Sequence, residues 1–165
     1  MGQTSQVPDL AGVHHLKLPV RDLARSRDWY ASRLGYAVAI EFVEGGKLVG
    51  YALRHPNGGP DLALRLDPAR AAAAAGFDYF SIGVPSKAAI DRLAGRLSAQ
   101  GEAHGGVHFA SIGWILPVLH DPDGHDFRFY TVEHHTPDAE AVMTVHDPRE
   151  TSEVRQRQHD NAANS

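Results

Sequence analysis

His15 and Tyr79 occupy the same place in two stretches that read as one strand written twice, Gly12-Val13-His14-His15-Leu16-Lys17-Leu18 and Gly76-Phe77-Asp78-Tyr79-Phe80-Ser81-Ile82. Gly12 aligns with Gly76, Lys17 with Ser81, Leu18 with Ile82 and Val20 with Val84. An imidazole and a phenol at matched positions are candidates for general acid and base, since both can pass a proton. Arg128, in the last strand-like run, adds fixed hydrogen-bond donors for an anion. Alternation along an extended chain sets Lys17 beside His15, Ser81 beside Tyr79 and Tyr130 beside Arg128.

The elements that must position these groups also come in two copies. Each opening strand leads into a helical stretch that closes on a glycine, Leu34-Gly35 in one copy and Gln100-Gly101 in the other. Asp22 and Ser86 are the N-caps. Strands are predicted at 36–42, 47–54 and 61–66 in the first unit, separated by Glu44-Gly45-Gly46 and His55-Pro56-Asn57-Gly58-Gly59-Pro60, both with turn chemistry. The alanine-rich 67–75 reads as a short helical linker. The second unit repeats the order: strand 77–84, helix 86–100, strands near 102–107, at 114–120 and at 126–131. Pro56-Asn57-Gly58 lies 66 residues before Pro122-Asp123-Gly124, and on that register Leu62 matches Arg128. The fold class is therefore α+β, two tandem βαβββ modules at about 12–66 and 76–131 within one domain, 11–131. Residues 132–165 form an irregular polar tail, with one apolar patch at 139–145 that could dock it.

Composition narrows the function classes. At 165 residues with 42% hydrophobic content, the chain is long enough to bury a core. A net charge of −4 with scattered basic residues argues against DNA and RNA as main partners. With no cysteine, disulfides, thiolate catalysis and Cys-type zinc sites are excluded. Neither a signal peptide nor a membrane span is legible, so a soluble cytoplasmic protein is expected. Abundant Ala, Arg and Gly suggest a GC-rich bacterial source.

The tandem βαβββ pattern, with His14-His15-Leu16, Asp22-Leu23-x-x-Ser26-x-x-Trp29-Tyr30 and Asp121-Pro122-Asp123-Gly124-His125, resembles the vicinal oxygen chelate superfamily. That superfamily includes glyoxalase I, fosfomycin-resistance proteins, extradiol dioxygenases and bleomycin-resistance binding proteins. The resemblance covers about 11–131. It implies two modules whose sheets roll into a cup, with a divalent metal on its floor held by His, Gln or Glu from the first and last strands of each module. His15, Leu62, Tyr79 and Arg128 fall on those four positions. A guanidinium has no acceptor and does not shed its proton to bind a cation, so the resemblance, taken with these residues, implies a cup without metal or other cofactor. His108, His120 and His125 are the histidines that could rescue a metal site.

On this reading the cup is lined by Lys17, Leu62, Leu64, Ser81, Trp114, Leu116, Val118, His120 and Tyr130, an apolar wall with a few convergent polar groups, as organic-ligand sites are built. Arg128 either contacts the ligand or forms a salt bridge with Asp126 or Asp78, and His15 either functions or hydrogen-bonds to Tyr79. The expected ligand is an aromatic or polycyclic molecule carrying a carboxylate, phenolate or enolate. Two functions compete. The protein only binds, in a sequestration, resistance or carrier role in secondary metabolism; or His15, Tyr79 and Arg128 run a metal-free isomerase, lyase or cyclase. A glyoxalase- or dioxygenase-like metalloenzyme is the third reading, conditional on a rescued metal site. A homodimer is implied, with the cup completed within one chain or between two.

Overall fold

Local chemistry writes the two helices that begin the modules. In a computed structural model, which describes residues 10–110 and 113–133, the Asp22 carboxylate accepts from the Arg25 N–H at 3.0 Å and starts α1 (Leu23–Trp29). The helix loosens into one π-helical turn, Tyr30–Leu34, and stops at Gly35, whose φ of 82° suits a residue without Cβ. Ser86 caps α3 (Lys87–Ala99) in the same way through the Ala89 N–H. Around them run β1 (His15–Val20), β2 (Ala37–Glu44), β3 (Lys47–Arg54), β4 (Asp61–Leu66), the linker helix α2 (Pro68–Ala74), β5 (Ser81–Val84), β6 (His108–Ala110), β7 (Gly113–His120) and β8 (Asp126–Thr131).

The strands form two four-stranded mixed sheets, ordered β1-β4-β3-β2 and β5-β8-β7-β6, so the α+β duplication is realised as expected. Two elements differ from expectation. The strand anticipated from residue 77 starts only at Ser81, because Gly76 and Phe77 spend their backbone bonds on Gly124 and Asp126 at the β7–β8 connection. The strand anticipated near 102–107 lies at 108–110 instead. Glu102 is drawn to Trp29 and Arg33, and Gly106 adopts φ 77°, which no strand accommodates.

The ladders also correct a register. In the first sheet Lys17 pairs with Ala63, and in the second Ser81 pairs with Arg128. The counterpart of Arg128 is therefore Ala63, not Leu62. The cause is the connection before the last strand, which spans 55–60 in the first module and the one-residue-shorter 121–125 in the second. A slip of one residue turns a side chain to the opposite face of the sheet.

Both sheets turn the same kind of face inward. Leu18, Val20, Tyr51, Leu53, Leu62 and Leu64 from one sheet, and Ile82, Leu116, Leu119, Phe127 and Phe129 from the other, join Trp29, Tyr30, Ile90 and Leu97 of the helical segments in one core. Burial of each such side chain contributes roughly 1.5–3 kcal/mol. The faces bearing His15 and Lys17, and Arg128 and Tyr130, are thus turned away from the shared core. The resemblance left the cup to be completed within one chain or between two; within this chain the two sheets share their helix faces, so their outer faces do not close on each other.

Polar joints fix that arrangement. The fully buried Asp123 carboxylate accepts from the Ser26 hydroxyl at 3.1 Å and from the Arg21 backbone N–H and Nε at 3.1 and 2.8 Å. Tyr30 donates to Asp121 at 2.6 Å, and its own phenol is held protonated by burial and by that carboxylate. Asp121, itself mostly buried, has its carboxyl raised above the usual range, since desolvation outweighs the hydrogen bonds it accepts. Asp123→Ala leaves the buried Ser26 hydroxyl without a partner while the exposed Arg21 resolvates. A loss of about 2 kcal/mol is expected in urea unfolding; a loss below about 0.5 kcal/mol contradicts a joint at this position.

Candidate functional site

The free edge of β1 carries the pocket that unites two of the anticipated residues. Lys17 and Tyr79 line a space of about 490 Å³ with Leu16, Phe80, Ala74 and Arg70. Sequence dictates why it exists. Five of the seven residues of α2 are alanines; N-capped by Asp67, the helix lies along β1, and these side chains are too small to fill the gap between that strand and the segment leading to β5. Phe80 backs the wall by packing edge-on against Phe127, ring centroids 5.2 Å apart. Tyr79 is 52% exposed, and its hydroxyl donates to the Ala74 carbonyl at 3.0 Å, which fixes the phenol as a wall.

A second depression, about 670 Å³, adjoins this pocket and shares Lys17, Pro19 and Arg70 with it. Its charges are mostly matched. Arg65 grips Glu44 with two bonds, 2.8 and 2.9 Å, whose donors hold that exposed carboxyl below its ordinary range. Asp67 is likewise lowered, first by the Arg70 backbone N–H and then by its guanidinium, 2.5 Å away. The Lys17 ammonium makes no hydrogen bond or ion pair with a described residue and feels only a weak Coulomb attraction from Glu44, which Arg65 already holds, so among these cations it is the one left to meet a ligand. The groove therefore joins a mainly apolar wall to a cationic rim, a combination that selects an apolar body bearing negative charge.

The other anticipated residues lie elsewhere. His15 is exposed, and its Nδ1 sits 3.0 Å from Nδ1 of His14, so one ring donates to the other; it does not bond to Tyr79. Arg128 forms an ion pair with Asp78 through Nε, one of the two alternatives open from sequence. Ser81 and Tyr130 share its outer face by register, and His120 pairs there with Asp126. Leu62 and Leu64 are buried on the helix side, opposite His15, for the register reason already given. Leu116 pairs with the buried Phe129, and Trp114 lies under the Lys87 ammonium of α3, 4.5 Å from its ring centre, so both also belong to the helix side rather than to an outer wall. Val118 falls in a break of the β7–β8 ladder after Pro117, with φ 63°, because proline has no N–H to give.

A divalent metal does not fit the donors present. At the four expected positions stand His15, Ala63, Tyr79 and Arg128: one imidazole, a methyl, a phenol already hydrogen-bonded and a cation. Among the described residues no three His, Asp or Glu side chains are grouped to hold a metal ion. His125 is no rescue. It is 1% exposed, and its Nε2 bonds to the Pro19 carbonyl at 2.7 Å, tying the β7–β8 connection to β1.

The comparisons with known proteins bear on this geometry. The family model of the Glyoxalase/Bleomycin resistance protein/Dioxygenase superfamily matches residues 12–129. The chain belongs to that superfamily. Among solved structures, a superfamily domain from Frankia sp. EAN1pec is 27% identical, with a TM-score of 0.61, covering 74% of this chain and 98% of that one. TnmS3, an antibiotic binding protein from Streptomyces sp. CB03234, shares 17% identity at a TM-score of 0.62, over 76% and 98% of the two chains. Lactoylglutathione lyase from Agrobacterium tumefaciens shares 16% at 0.60, over 76% and 96%. The last two likenesses show the superfamily fold alone. Among curated proteins, none matches this sequence.

Residues that sequence reasoning passed over now carry the site. Arg70, Ala73 and Ala74 sit in the stretch read as a linker, and Leu16 and Phe80 were read only as strand residues. The available signal was the composition of α2, since a helix of alanines beside a strand leaves room that leucines would fill.

Proposed function

We propose that the protein binds a small apolar organic anion without a metal, in a sequestration, resistance or carrier role, using the groove along β1. The observation that carries this reading is the Lys17 ammonium, without an ion-pair partner among described residues, set beside Arg70 at the rim of a pocket walled by Leu16, Phe80 and the α2 alanines. The antibiotic binding protein TnmS3, of the same fold, is consistent with such a role. Catalysis by His15, Tyr79 and Arg128 gains no support, as each is engaged by a different neighbour and the first and last lie on different sheets.

Isothermal titration with 1-naphthoate and its neutral amide tests the charge argument. The carboxylate is expected to bind about tenfold tighter, the worth of one charge-assisted hydrogen bond on a partly exposed rim, and dialysis against EDTA is expected to change nothing. Equal affinity for the two, or loss of binding after EDTA, contradicts the proposal.

A homodimer belongs to the same reading. β2 is an edge strand exposed along its whole length, with Ile40, Phe42 and Val43 at 51%, 42% and 58%. Such an edge invites pairing with another chain. Phe42→Lys is expected to convert a dimer to monomer in sedimentation; a wild-type monomer rules the dimer out.

A further inference from the structure

The two modules meet at two ends that the duplication makes equivalent, and only one end is filled. The N-caps Asp22 and Ser86 stand at the same spacing as His15 and Tyr79, so Trp29 corresponds to Leu93 and Tyr30 to Ala94. At the filled end, the β7–β8 connection packs on α1 and its π-helical continuation, with Asp123 bonded to Ser26, and Asp121 to Tyr30. At the other end, the β3–β4 connection faces α3 with Asn57-Gly58-Gly59, and the helix offers Leu93 and Ala94 in place of two large aromatics. The difference is a cavity of about 510 Å³ between the modules. Its floor includes Ile82, Leu93 and Phe129; its rim includes His55, Asn57 and Arg92. Gly58 and Gly59 hold φ of +85° and +105°, and a Cβ at either would meet nothing within 4 Å. The extra residue of this connection, which shifted the register, also opens the space.

We propose that this inter-module cavity is a second ligand site, separate from the β1 groove, for a compact aromatic carboxylate. The polar groups are biased toward donors. His55 Nδ1 accepts the Asn57 backbone N–H at 3.2 Å, so the neutral ring carries its proton, a donor, on Nε2. Arg92 brings a guanidinium, and no carboxylate lines the cavity among the described residues. The apolar floor takes the ring and the rim takes the acid, while Tyr36 spends its O–H on the Pro60 carbonyl at 2.9 Å and adds no further donor.

The test is a 1H–15N NMR titration of the full chain with 1-naphthoate, read at the amides of Gly58, Gly59 and Leu93 and, separately, at those of Lys17 and Ala74. Two sets of shifts with independent midpoints are expected. Arg92→Glu, on the exposed face of α3, weakens the first set at least tenfold and leaves the second in place. Leu93→Trp, which installs the aromatic found at the equivalent Trp29, abolishes the first set by filling the cavity. Shifts confined to Lys17 and Ala74, or an Arg92→Glu titration identical to wild type at Gly58 and Gly59, overturn the proposal; Arg92→Glu decides the matter if the tryptophan variant fails to fold.

Discussion

Lys17→Glu is expected to weaken binding of 1-naphthoate in the β1 groove by well over tenfold, and Lys17→Ala by about tenfold. The alanine variant removes one charge-assisted hydrogen bond, worth roughly 1.5–3 kcal/mol where water is partly excluded and less on an open rim. The glutamate variant adds repulsion, since it joins Glu44 and Asp67 in the depression that Lys17 shares. Lys17 is exposed on β1 and bonded to no described side chain, so neither change disturbs packing, and thermal midpoints stay within about a degree of wild type. The titration is followed at the Ala74 and Phe80 amides so that binding elsewhere does not contribute. Raising salt from 50 to 500 mM narrows the gap between wild type and Lys17→Ala, because the interaction is partly Coulombic at an exposed site. Unchanged affinity in Lys17→Glu removes the groove from consideration.

Phe127→Ala carries the largest stability effect, a loss of about 3–5 kcal/mol as expected for a buried aromatic truncated to alanine. Phe127 is fully buried, and its ring lies 5.8, 6.4 and 5.2 Å from those of Tyr30, Trp29 and Phe80. It is a second-module residue whose aromatic neighbours include two from the first, so the cavity left behind weakens the joint between modules. The sequence holds 2 tryptophans, Trp29 in the first module and Trp114 in the second. Trp29→Phe and Trp114→Phe backgrounds therefore give a fluorescence probe for each. Coincident urea transitions from the two probes are expected, with Phe127→Ala lowering both midpoints together. Two separate transitions, with Trp29 unmoved by Phe127→Ala, contradict a single shared core.

Much of this architecture was legible in the residues. The duplicated Gly-x-x-His and Gly-x-x-Tyr strands, the caps at Asp22 and Ser86 and the stops after each helix all follow local rules, so the order of elements needed no tertiary information. The register of β4 did not follow, because Gly58-Gly59 hides one additional residue inside a turn that otherwise matches Pro122-Asp123-Gly124. That single residue decided whether Leu62 faced a ligand or the core. The direction of Tyr79 was illegible for a different reason: alternation holds only inside a ladder, and the ladder begins two residues later, at Ser81. Arg128 was legible as a cation at a carboxylate's position, but its partner Asp78 sits in that same irregular lead-in, where no periodicity predicts direction. The groove itself was invisible, since a gap beside an alanine helix arises from side chains that are missing. The apolar patch at 139–145 and the tail beyond it lie outside the described residues.

The relation of the two modules matters for function as much as the pocket does. Because the sheets share one core on their helix faces, the outer faces of β1–β4 and β5–β8 are open, and the β1 groove lies where the first of them meets the linker α2. Charge at Lys17 is thus available to a ligand without any rearrangement of the fold.

A crystal structure of the protein with 1-naphthoate tests this most directly. The ring system is expected between Leu16 and Phe80, over Ala73 and Ala74, with its carboxylate in hydrogen-bond reach of the Lys17 ammonium or the Arg70 guanidinium. An empty groove in crystals where the ligand lies instead against Arg128 and Tyr130, or where His15 holds a metal, contradicts it.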